Sequence, residues 1–148
     1  VDPAQLFPGE AGKPENVRLI GRVGDDDLKA VLANALCFLF PSRIEGFGLP
    51  AIEAMAAGCP VVASASPCLP EICGNAALYA DPDDAGAWIG QVKRLQRDAA
   101  FRGSLIAVGR ARASAYSWRR VAETYLRLMA SIDGASVDAS ADAAGLPR

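Results

Sequence analysis

The chain has no histidine in its 148 residues. The side chain most used for proton transfer near neutral pH, and the commonest metal ligand, is therefore missing. A zinc site would have to rest on thiolates alone. The four cysteines, Cys37, Cys59, Cys68 and Cys73, show no C-x-x-C spacing, so no metal site is expected. Cys37 and Cys59 fall within or beside strand-like runs and read as small core residues with reduced thiols. Positive charge is not in excess either. Lys and Arg total 15 against 17 Asp and Glu, the net charge is −2 and the pI about 5.1. Binding to nucleic acid, which wants a basic face, is not expected. The longest apolar runs, Leu36–Phe40 and Cys59–Ala63, fall far short of the ~20 residues that cross a bilayer, so no transmembrane segment is expected. No secretory signal opens the chain, and neither does a methionine, which reads as a piece of a longer protein. What remains is ordinary for a globular domain: 51% hydrophobic and 22% charged residues, enough chain for one core.

Residues 1–15, rich in proline and glycine, read as a linker or loop. Val17–Ile20 is predicted as a short strand. Asp25, Asp26 and Asp27 are expected to cap a helix running to about Ala35. Further strands are predicted at Leu36–Phe40, Pro60–Ala63 and Ala77–Ala80, with a single helical turn at Pro70–Cys73. Asp84 to about Arg97 is an amphipathic helix with Trp88, Ile89, Val92 and Leu95 turned inward. Two more helices follow, at about Ala99–Ala113 and Trp118–Ile132. Residues 133–148 show no core pattern and read as a disordered tail. Strands alternating with helices predict an α/β fold, a Rossmann-like parallel sheet with flanking helices, over residues 16–132.

The most informative stretch joins the Leu36–Phe40 strand to the next helix: Pro41-Ser42-Arg43-Ile44-Glu45-Gly46-Phe47-Gly48-Leu49-Pro50-Ala51-Ile52-Glu53-Ala54-Met55. Gly46 and Gly48 allow sharp turns and close approach to a ligand. Pro50 suits a first helical position, and Gly58 a C-terminal stop. The amides at such a helix start, with its dipole, favour an anion by roughly 0.3–1 kcal/mol, or ~2 kcal/mol when partly buried. Glu45 in the loop and Glu53 in the helix stand eight residues apart and could hold hydroxyl groups on either side of it. A pyrophosphate flanked by two polyols fits that pattern. A plainer reading makes this a strand–turn–helix in which Glu53 only complements the dipole.

The run from Glu45 to Val62, EGFGLPAIEAMAAGCPVV, matches a Glu-x7-Glu signature at every position. The sequence resembles the C-terminal, donor-binding domain of retaining glycosyltransferases of family 4, also called group 1, which have the GT-B fold. The likeness extends over roughly residues 16–130, through Val17–Val23, Leu69–Ile72, Ala77–Pro82 and Tyr116–Trp118. It implies transfer of a sugar from a nucleoside-diphosphate donor to an acceptor hydroxyl, with retention and no cofactor or metal. By position, Glu53 would bind the ribose hydroxyls and Glu45 would act as the catalytic-site carboxylate beside the donor sugar. Gly46, Phe47, Gly48 and Leu49 would meet sugar hydroxyls and the distal phosphate through their amides. Arg22 and Val23 would meet the base.

The resemblance also marks what this chain lacks. The arginine–lysine pair that clamps the pyrophosphate in the family has no matching motif here; Lys13 and Arg18 do not stand in one. The N-terminal domain, which would bind the acceptor sugar or lipid-linked glycan, is absent. The chain alone is expected to bind nucleotide weakly and transfer little. The implied location is cytoplasmic, with peripheral attachment to the inner membrane left to the absent domain.

Other readings compete for the same residues. Gly46 to Ala51 also fits G-x-G-x-x-A, but Pro41–Glu45 separates it from its strand, and Pro60–Ala63 runs into Ser64-Ala65-Ser66 rather than an acid. The Asp-x-Asp pairs at Asp25–Asp27 and Asp81–Asp83 could hold a divalent ion, but both immediately precede helices and read as caps. Glu71 reads as a brace for its turn, Tyr116 and Trp118 as packing residues, and Arg119 and Arg120 as solvated. A non-catalytic nucleotide-binding or interaction module of the same fold, and a sugar-nucleotide epimerase, are the alternatives. The second usually needs histidine.

Overall fold

The computed structural model describes residues 14–132. Three short strands, β1 (Phe38–Phe40), β2 (Val61–Ser64) and β3 (Ala77–Ala80), form one parallel sheet in the order β1-β2-β3. Phe38 pairs with Val61, and Val61 with Ala77. Helix α1 (Asp25–Asn34) precedes the sheet, and α2 (Leu49–Ala56) connects β1 to β2. The short α3 (Cys68–Cys73), followed by a 3₁₀ turn at Gly74–Ala76, connects β2 to β3. Then come α4 (Ala85–Arg97), α5 (Ala99–Ser114) and α6 (Trp118–Ile132).

Parallel strands need both faces covered, and the alternation of β2 shows how. Val61 and Ala63 belong to a cluster with Ile52, Met55, Leu69, Ile72 and Cys73 from α2 and α3. Val62 belongs to a second cluster with Trp88, Leu95 and Leu105 from α4 and α5. All four β2 residues are buried, as a central strand requires. Burial pushes the Cys59 thiol up to about 11, with the neighbouring Cys37 adding to the shift, so it behaves as an apolar group. Asp84 and Asp98 cap α4 and α5, accepting bonds from the Ala87 and Phe101 amides at 3.0 and 2.8 Å.

Four expectations about the helices, strands and their packing need correction. Val17–Ile20 is not a strand; the segment runs as irregular chain ahead of α1, so its β-prone composition is overridden by its surroundings. Asp25–Asp27 do not cap α1. The cap position is Gly24, and the three carboxylates lie in the first turn, where they complement the dipole. Ile89 is exposed while Trp88 and Leu95 are buried, because α4 meets the sheet along a narrower stripe than its composition suggests. Trp118 is 78% exposed, and α6 buries no residue among those described. Its apolar spacing makes a face, but packing also needs a neighbour. The linker expected at 1–15 lies outside the described residues except for Pro14 and Glu15, and the tail expected at 133–148 lies wholly outside them.

Candidate functional site

The loops leaving the C-terminal ends of β1, β2 and β3 meet at one edge of the sheet, the edge at which parallel α/β folds bind ligands. The first of them, between β1 and α2, carries the Glu45 motif. It has no regular structure, yet neighbouring elements hold it at several points. The Ser64 hydroxyl, wholly buried at the end of β2, donates to the Ser42 carbonyl. The Ser42 hydroxyl donates to the Ile44 carbonyl at 3.1 Å. The Arg43 guanidinium makes a two-point fork on Asp83, from the loop after β3, with Nη1 donating to Oδ2 at 2.8 Å and Nη2 to Oδ1. That hydrogen-bonded guanidinium holds the Asp83 carboxyl below its ordinary range. Phe47 packs edge-on against Tyr116, with ring centroids 5.6 Å apart. Tyr116 is itself fixed, its hydroxyl donating to the Ile72 carbonyl at 3.0 Å.

Between these ties stand the residues of interest. Glu45 is half-buried, and among the described residues its carboxylate has no hydrogen bond or ion pair. Glu53 sits on α2, exposed, and its carboxylate is equally unpartnered. Glu53 borders a groove of about 500 Å³ between α1 and α2, together with Asp25, Lys29 and Leu32. Arg22 and Val23 occupy the loop directly ahead of α1, Arg22 exposed and Val23 half-buried. Leu49 and Pro50 open α2; Pro50 has no N–H, which leaves the Leu49 amide at the helix start.

The two loop glycines differ. Gly48 is buried with φ 91°, and a Cβ there would stand 2.5 Å from Leu69 Cδ2. The close approach to a ligand expected of Gly48 is not needed to account for glycine there; its conformation and packing already require it. Gly46 is exposed, its φ is not positive, and a Cβ would meet nothing within 4 Å.

The second Asp-x-Asp pair has other duties. The Asp81 carboxylate accepts from the Asp83 amide at 2.8 Å, Asp83 pairs with Arg43, and the capping residue is Asp84. The Glu71 side chain is exposed; its carbonyl, not its carboxylate, does the bracing, accepting from Arg112 at 2.7 Å. Composition and spacing did not single out Arg43, Ser64 or Lys29. Arg43 lies just ahead of the motif, two residues before Glu45, but its partner is 40 positions away. No local signal could name it.

The family profile described as "Glycosyl transferases group 1" matches residues 4–112. The chain belongs to that family. It is 43% identical over 102 residues to the O-antigen chain mannosyltransferase B of Escherichia coli, covering 69% of this chain and 27% of that protein. It is 36% identical over 127 residues to the MMP alpha-(1->4)-mannosyltransferase of Mycolicibacterium hassiacum, covering 81% of this chain and 30% of that one. Among solved structures, the sucrose-phosphate synthase of Thermosynechococcus elongatus superposes with a TM-score of 0.71 at 33% identity, over 79% of this chain and 30% of that chain. The α/β sheet of this group 1 chain is thus that of a GT-B glycosyltransferase. The chain spans about 27–30% of the length of these relatives. No described helix is long and apolar enough to cross a membrane.

Proposed function

We propose that residues 16–132 form the donor-binding half of a retaining glycosyltransferase that moves a sugar from a nucleoside-diphosphate sugar to an acceptor hydroxyl. The observation that carries this reading is Gly46. Nothing among the described residues needs glycine at that position, since the φ is not positive and a Cβ there would meet none of them within 4 Å. An open position between an unpartnered carboxylate and a helix start suits a ligand that comes close to the backbone. The sugar would lie over Gly46 and Phe47, with Glu45 beside it. The diphosphate would face the Leu49 amide, where preorganised N–H groups stabilise charge as it develops on the leaving group. The ribose would reach Glu53 and the base the α1 end of the groove, near Arg22 and Val23.

No metal takes part in this reading: helix amides and basic groups from outside this chain hold the pyrophosphate. The acceptor, a sugar or a lipid-linked glycan, binds to the remainder of the protein. Since the relatives named above include mannosyltransferases, mannosyl donors stand first in the panel to be tried.

Gly46→Ala tests the proposal. The melting temperature of the chain should be unchanged, while saturation-transfer NMR against UDP-, GDP- and ADP-hexoses should show binding lost. An alanine variant that binds a sugar nucleotide as the wild type does would remove the donor from this loop.

A further inference from the structure

We propose that Arg43 and Asp83 are positioning residues whose ion pair sets where the Glu45 carboxylate stands. The assignment of a role to Glu45 rests on the function proposed above; the positioning itself rests on geometry.

Glu45 lies in a segment, Ile44–Gly46, bounded by two kinds of tie. On its far side Phe47 is wedged against Tyr116. On its near side the Ser42 carbonyl is held from below by the buried Ser64 hydroxyl, which also shares a 3.2 Å bond with the Ser66 hydroxyl. Ser64 fixes the base of the loop but not its direction, because one bond to a carbonyl leaves the chain free to rotate about it. The Ser42 hydroxyl on the Ile44 carbonyl joins two residues of the loop and turns with them, so the Arg43 side chain supplies the second constraint from outside the loop. A guanidinium fork on a carboxylate sets orientation as well as distance, which a single-point contact does not. Its partner Asp83 is placed in turn, since the Asp83 amide donates to the Asp81 carboxylate at 2.8 Å. The loops after all three strands are thereby joined at the edge where a donor would lie.

The pair cannot matter much for folding. Its side chains are 64% and 68% exposed, and exposed pairs contribute little to stability. Ile44, next in the chain, is 90% exposed and cannot anchor the segment by burial. The pair is therefore placed to steer rather than to stabilise, and small displacements of a reacting group cost far more in function than in folding.

The full 148-residue chain, labelled with ¹⁵N, tests this in four forms: wild type, D83N, the charge-swapped R43D/D83R, and wild type in 1 M NaCl. The backbone order parameters of Glu45 and Gly46 should fall from about 0.85 to below about 0.6 in D83N, and likewise in wild type at high salt, where exposed pairs are screened. They should return in the swapped pair, and the melting temperature should move by less than about 2 °C throughout. In parallel, D83N should weaken binding of UDP-, GDP- or ADP-hexose about tenfold, and the swap should restore it. Order parameters unchanged in D83N would overturn the proposal. So would a swapped pair that is ordered but fails to bind while wild type binds, since Arg43 would then touch the ligand itself. If wild type binds no sugar nucleotide, the function proposed above fails, and the order parameters still decide the positioning role.

Discussion

Gly48 and Leu69 are in closer register than the motif alone suggests: a single Cβ on Gly48 would come within 2.5 Å of Leu69 Cδ2, a fully buried side chain. The loop that carries Glu45 is therefore seated on α3. Gly48→Val meets both this contact and a φ of 91°. Left-handed strain and overpacking together predict a loss of about 2–4 kcal/mol. The melting temperature of the chain should fall by roughly 5–15 °C. A variant that melts like wild type would show that Leu69 and the loop yield freely.

The two motif glutamates should separate in binding assays. On the proposed placement, Glu53→Ala removes a charged acceptor from the ribose and should weaken both a nucleoside diphosphate and its sugar conjugate, by roughly 1.5–3 kcal/mol. Glu45→Gln should weaken only the sugar conjugate. Calorimetric or NMR titration of the chain with both ligands checks this, and equal losses in the two variants would contradict the placement.

Binding should not depend on a divalent ion. Among the described residues no three acidic or thiol groups converge on a metal-sized site, and the Asp81–Asp83 pair is engaged in a turn and an ion pair. Sugar-nucleotide affinity should be the same in EDTA and in manganese. A strong gain with manganese would place a metal in this half of the site.

Two tryptophans should behave oppositely. Trp88 is buried and its Nε1 donates to the Asp81 carbonyl at 2.7 Å, so Trp88→Ala should cost about 3–5 kcal/mol. Trp118 is exposed, and Trp118→Ala in this chain should stay within about 0.5 kcal/mol. Urea unfolding followed by circular dichroism distinguishes them.

Tyr79 makes stability depend on alkaline pH. Its hydroxyl donates to the Gly74 carbonyl at 2.6 Å, and burial, with the neighbouring Cys73 adding to it, pushes the phenol up to about 12. The folded value lies above the ordinary 10.0, so this contribution is complete below pH 10 and fades as the pH rises through about 12. Tyr79→Phe should cost about 0.5–1.5 kcal/mol at neutral pH and flatten that alkaline loss. Unfolding free energies of both proteins from pH 8 to the alkaline limit check it. Asp83 acts at the other end of the scale. The Arg43 hydrogen bond holds its carboxyl below the ordinary 3.8, so the pair is intact at neutral pH and is lost as the pH falls through that lowered value, with little effect on stability because both side chains are exposed.

By itself the sequence determined the parallel α/β order, because apolar runs, capping acids and Pro50 act within a few residues of themselves. It placed α6 at Trp118–Ile132 and β3 at Ala77–Ala80, where the structure has them. It also marked the Glu45–Glu53 spacing, since a signature in the chain survives without coordinates. Tertiary structure alone decided which of these residues are free to meet a ligand. Gly48 and Gly46 look alike in the chain, yet one is packed against Leu69 and the other is open. Trp118 carries the right composition for a core contact, but burial needs a second element, and none of those described supplies it. Arg43 finds Asp83 only because parallel strands bring the loops after β1 and β3 to one edge. A contact between residues 40 positions apart has no local physical signal, because its geometry is set by the sheet that lies between them.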